Sequence, residues 1–178
     1  MRPRRSKSVD AEKRLLVAID DSAASRRAVA YVARIIGGRK GFRIRLFHVR
    51  APLPPRLVDF AVGEDPGSAQ RRRTEGKHAH AAWVTQGEKA AQAVFSRAKS
   101  ILRRARTPAT AIETELATSR SDQDLASTIL EAARTSRCGT LVVGRESFAG
   151  FRELFQRHVH AADELIRQAQ GFALWVVE

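Results

Sequence analysis

The feature that most constrains this chain is an alternation between short apolar runs and stretches of helical apolar spacing. Lys13 to Ile19 is an apolar run with β-branched members, the pattern of a buried strand. Ser22 follows as an N-cap, and Ala28, Val29, Val32, Ala33 and Ile36 recur at helical spacing until Gly37-Gly38 stops the helix. From Phe42 to Val49 the period changes to two, with Phe42, Ile44 and Leu46 against Arg43, Arg45 and Phe47. Helical spacing returns with Ala91, Val94, Phe95, Ala98, Ile101 and Leu102, and Pro108 separates it from an alternating run over Ala111 to Ala117. Ser121 and Asp124 resemble a capping box, Leu125 to Ala133 carries the next apolar stripe, and Thr140 to Val143 is a fourth strand ending in Gly144. Leu154 to Ile166 and Phe172 to Val177 complete the series as a helix and a fifth strand.

Strands that alternate with helices imply parallel pairing through right-handed crossovers. The expected fold is therefore α/β, a doubly wound, mostly parallel five-stranded sheet of order 3-2-1-4-5 with helices on both faces. The order reverses between strands 1 and 4, which opens a crevice at their carboxyl ends. Asp20-Asp21-Ser22 and Gly144 to Gly150 meet there, so a small-molecule site is expected in that place. Residues 1–12 read as a basic tail and 13–178 as one domain. Pro52, Pro54, Pro55, Gly63, Pro66 and Gly67 predict an irregular insertion over about 51–80.

Charge bounds the partners. The 178 residues carry a formal charge of +13, which favours polyanions. Yet the charge is dispersed among Arg2 to Lys7, Arg71 to Arg73 and Arg103 to Arg106, with no interleaved aromatics and no nucleic-acid motif. A solvated basic surface is favoured over specific nucleic-acid binding, which stands as the alternative function. No apolar run approaches the roughly 20 residues of a membrane span, and the basic start lacks a secretory apolar core. The expected compartment is the cytoplasm. Cys138 is the one cysteine, so neither an internal disulfide nor a cysteine-built zinc site is expected. Neither His78 and His80 nor His158 and His160 gain a carboxylate at ligand spacing. No nucleophile elbow, paired carboxylates or Walker lysine appear, so the chain is expected to act by binding and not as an enzyme.

Three segments carry a family resemblance. Leu16 to Ser22, LVAIDDS, resembles the first strand of universal stress proteins, which typically reads VAVDGS. Thr140 to Gly144, TLVVG, is similar to their fourth strand, and Phe172 to Val177, FALWVV, to their last. The resemblance implies a stress-response binding module, a homodimer paired through the C-terminal strand, and ATP or another adenine nucleotide as the ligand class; the residues themselves demand no cofactor. Members that bind ATP carry Gly-x2-Gly-x9-Gly-Ser/Thr after strand 4. Counted from Gly144, those positions fall on Ser147, Arg157 and His158, while Gly150 matches another glycine of the same loop. Asp20 matches the strand-end aspartate that contacts the adenine or ribose end, and the backbone near Val49 is expected to hold the same group. The base end of the crevice thus looks intact and the phosphate end rebuilt. Asp20 has a structural role open to it as well, ordering the turn after strand 1. Arg157 can fork onto a phosphate, fill the phosphate subsite, or stand solvated on its helix. Volume favours weak or lost ATP binding.

Overall fold

Leu15, Leu16 and Val17 are at most 1% exposed, so strand β1 (Arg14–Ala18) is covered on both faces. Strand β2 (Arg43–Arg50) lies on one side of it and β4 (Thr140–Gly144) on the other. Beyond them lie β3 (Ile112–Thr118) and β5 (Ala173–Val177). The sheet is wholly parallel, in the order β3-β2-β1-β4-β5 expected from the sequence. The computed structural model describes residues 11–51, 66–119, 125–145 and 156–178, the side chains of 66–73 and 156–161 aside.

Helices α1 (Ala23–Ile36) and α2 (Pro66–Arg104) cover one face, packing Val29, Val32, Val94, Ala98 and Leu102 on Leu15, Val17, Ile44 and Leu46. Helices α3 (Leu125–Thr135) and α4 (Gln156–Gln168) cover the other, packing Ile129, Leu130, Ala162 and Leu165 on Leu16, Phe47 and Leu141. Odd and even strand residues thus serve separate cores, as the period of two requires.

One expectation needs correction. Of the irregular stretch read over about 51–80, residues from Pro66 on belong to α2, which begins there. Proline suits the first helical position, and the following residues are largely helix formers without an apolar stripe. From Thr74 to His80 the helix is largely exposed. Arg50, the last residue of β2, meets α2 at Val84 and Gly87. At 1.5 Å per residue the 39-residue helix is about 58 Å long, against about 27 Å for β2. The basic tail up to residue 10, residues 52–65 and the Ser121–Asp124 cap lie outside the described residues.

Arg50 fixes where α2 crosses. Its guanidinium lies 4.1 Å from the Trp83 ring centroid, donates to the Val84 carbonyl at 3.3 Å and to Thr118 Oγ1 at 2.9 Å. A Cβ on Gly87 would come 2.5 Å from Arg50 Cδ, so a side chain there would displace Arg50 from its place at the crossing.

Both α2 and α3 end in a paired closure with an arginine where glycine is usual. Thr107 N–H donates to the Leu102 carbonyl and Arg106 N–H to Arg103; Cys138 and Arg137 repeat this on Ala133 and Arg134. The arginines take φ of 64° and 53°, a region that costs a side chain about 1 kcal/mol. Arg106→Gly and Arg137→Gly should therefore each raise unfolding stability, by about 0.5–1 kcal/mol, less what the freer unfolded chain returns. Urea titration of each variant beside the parent checks the sign.

Candidate functional site

The strand order reverses between β1 and β4, and a crevice opens at their carboxyl ends. Its walls are apolar: Ala18, Ile19, Phe47 and Val49 from the sheet side, Leu125 and Ile129 from α3, and Val143 from β4. Its polar rim is Asp20, Ser22 and Ser25, with Gly144 beside them. A flat apolar group with a hydrogen-bonding edge suits such a lining.

The rim is self-organised by short local bonds. Ser22 caps α1, its Oγ accepting from Ser25 N–H at 3.0 Å. Asp20 Oδ1 accepts from Ser22 N–H at 2.9 Å, and Asp20 N–H donates to Ser25 Oγ at 3.0 Å. Asp20 therefore does order the turn, and the same bonds fix where its carboxylate stands at the mouth. Asp21 turns to the other side, its carboxylate 2.6 Å from Arg97 of α2 and 3.7 Å from Arg26. That is a turn residue, as its place in the sequence suggests. His48, unremarked in the sequence, donates Nδ1–H to the Ile19 carbonyl at 2.7 Å and sets its ring edge-to-face on Phe95. It closes the end of β1 on the α2 side.

Gly144 has a packing reason that its motif position did not disclose. A Cβ there would lie 2.4 Å from the carbonyl carbon and oxygen of Ala24 and 2.8 Å from Ser25 N. The start of α1 presses directly on the end of β4. Arg145, next in the chain, is occupied: its guanidinium faces Asp163 at 3.5 Å and Glu178 at 4.0 Å, while its carbonyl accepts from Arg27 at 3.3 Å.

The structure thus brings Asp20, Ser22, Val49 and Gly144 together, along with Ser25, Phe47 and Ile129, which the sequence reading missed. Ser25 carried a usable signal, a hydroxyl three residues after the Ser22 cap; Phe47 and Ile129 look like any core residues. Ser147 and Gly150 lie outside the described residues. Arg157 and His158 fall in the first turn of α4, their side chains outside the description. Among the described residues no group of His, Cys, Asp and Glu could hold a metal ion. Cys138 is buried, and burial pushes its thiol up in spite of Arg45 and Arg14 nearby, the opposite of what a nucleophile needs. No helix among the described residues is long and apolar enough to cross a membrane.

A sequence model described as the universal stress protein family matches residues 12–170. No curated protein matches the sequence. A solved structure from the universal stress protein family of Burkholderia pseudomallei superposes with a TM-score of 0.58 at 17% identity, over 97% of this chain and 98% of that one. The universal stress protein from Archaeoglobus fulgidus in complex with dAMP gives 0.55 at 16%, covering 92% and 96%. A universal stress protein in complex with cAMP gives 0.55 at 15%, covering 94% and 98%.

The Gly144 contact generates a prediction. Gly144→Ala should cost about 1–3 kcal/mol, because the backbone of Ala24 and Ser25 has to move aside. A thermal or urea midpoint that is unchanged would remove the packing role.

Proposed function

The chain belongs to the universal stress protein family, and on that premise we propose that it is a stress-response module that acts by binding an adenosine-like group in the crevice, with ATP binding weak or lost. The observation that carries this is the lining: apolar walls from β1, β2, β4 and α3 with Asp20 as the one carboxylate among the described lining residues, fixed at the mouth. In this reading the purine ring lies against Val49 and Ile129, and Asp20 accepts from a ribose hydroxyl or an exocyclic amine. The solved relatives with dAMP and cAMP bear one phosphate each, consistent with a site built around the nucleoside. The triphosphate is the weak point. Arg157 and His158 stand where ATP-binding members keep Gly and Ser, and Arg145 is already paired with Asp163 and Glu178.

Calorimetry separates the parts. Adenosine or AMP should bind and ATP should bind more weakly; Asp20→Ala should lose about tenfold in affinity for adenosine, the worth of a hydrogen bond to a charged group. Arg157→Gly with His158→Ser should gain ATP affinity if volume decides. If the parent binds ATP tightly and the double change weakens it, Arg157 is a phosphate ligand and the reading is wrong.

The assembly we propose is a homodimer through β5. The two sheet edges differ: β3 presents Glu113, Thr114, Glu115 and Thr118, whereas β5 runs Ala-Leu-Trp-Val-Val without charge. Charged edges resist pairing and bare apolar ones invite it. Leu174 to Val177 are only half-buried in the single chain. Sedimentation at micromolar protein should give twice 19.7 kDa, and a clean monomer would sink the assembly.

A further inference from the structure

At the other end of the sheet, beside the amino ends of β1 and β2, lies a second cavity of about 300 Å³. That volume is at the lower end of small-molecule pockets. Its lining is polar: Arg14, Arg43, Arg45 and Glu113 from the strands, with Ser136 and Cys138 from the turn after α3. It sits about 16 Å, the length of β1, from the crevice described above.

The arginines are not placed as ordinary surface charges. Arg14 and Arg43 are register partners on adjacent strands, and Arg45 follows on the same face, the one on which Leu16 and Phe47 pack. Like charges directly opposite one another destabilise a strand pair. The carboxylates nearby do not relieve this particular pair. Glu113 and Glu115 both go to Arg45, at 2.6 and 2.5 Å. Burial works against the charge on Arg45, but the bonds and charges of Glu115 and Glu113 outweigh it and hold the guanidinium protonated. Arg43 donates to an uncharged acceptor, the Thr110 carbonyl, at 2.6 Å. The Arg14 guanidinium makes no hydrogen bond or ion pair among the described residues. Nor is it held by the end of α3, whose Ala132, Ala133 and Arg134 carbonyls accept from the backbone N–H groups of Ser136, Cys138 and Arg137.

We propose that this cavity binds a small phosphate monoester, its phosphate gripped by Arg14 and Arg43 and its hydroxyl-bearing body lying against Ser136 and Glu113. Arg14 and Arg43 both line the cavity, Arg43 from the side of the Thr110 carbonyl, and two guanidinium groups that line one space can grip a tetrahedral dianion, the ligand for which forked donors are best suited. Three cations against two carboxylates leave an excess that a bound anion neutralises. The space exceeds what inorganic phosphate fills, and a serine hydroxyl and a carboxylate are the usual partners of sugar-type hydroxyls.

Titration of the full chain with glycerol 3-phosphate, inorganic phosphate and glycerol, followed by amide NMR, tests this. Glycerol 3-phosphate should shift the amides of Arg45, Ser136, Cys138 and Gly139 while those of Asp20, Val143 and Gly144 stay put. Inorganic phosphate should shift the same amides more weakly, and glycerol none. Arg14→Gln and Arg43→Gln should each weaken binding about tenfold, with Arg103→Gln, an exposed arginine of α2, as the unaffected control. No shift at those amides up to about 10 mM, shifts centred on Gly144, or equal losses in all three variants would overturn the proposal.

Discussion

Burial of β1 on both faces is the constraint from which the rest follows. Leu15 and Val17 face one core, Leu16 the other, and none has a polar side-chain atom to offer water. A strand of this kind has to sit at the centre of a parallel sheet with helices above and below. Once it does, the chain has to place β2 and β3 to one side and β4 and β5 to the other. The helices after β1 and β4 then diverge to opposite faces, and the crevice is the gap their divergence leaves. Closing that gap at its base is the contact of Ala24 on Gly144, where no side chain fits. The site is a consequence of how the central strand is covered.

Arginine shapes the remainder of the molecule to an unusual degree. Arg50 holds the long helix α2 to the sheet through the Trp83 ring, a contact of the kind worth about 0.5–2 kcal/mol. Arg106 and Arg137 end helices in the left-handed conformation, Arg145 ties β4 to α4 and the C-terminal residue, and Arg45 joins β2 to β3 through two glutamates. Several of the charges behind the total of +13 are therefore committed inside the fold. Arg14 carries no such commitment among the described residues, and unlike Arg39, Arg103 and Arg104, which also lack one, it lines the cavity at the amino ends of β1 and β2.

The sheet order and the crevice were legible because they depend on period and alternation, which local sequence carries. Asp20 and Gly144 were legible for the same reason, as residues at strand ends. The reach of α2 was not. Its first half has helix formers but no apolar stripe, and apolar spacing was the signal read. Pro108 bounded α2, but the left-handed closures of α2 and α3 were hidden, because arginine stands at the positions where glycine would have marked them. Phe47 and Ile129 show a further limit: whether an apolar residue lines a cavity or fills a core depends on neighbours brought from other elements. The arginine cluster at the amino ends of β1 and β2 depends on register, which no single strand records.

A crystal structure of the chain grown with AMP decides whether the crevice is a nucleoside site. The purine should lie between Val49 and Ile129, with a nucleoside oxygen or nitrogen within hydrogen-bond distance of the Asp20 carboxylate and the phosphate turned to the outer mouth of the crevice. A purine bound elsewhere, or bound in the crevice with Asp20 turned away from it, would rule that assignment out.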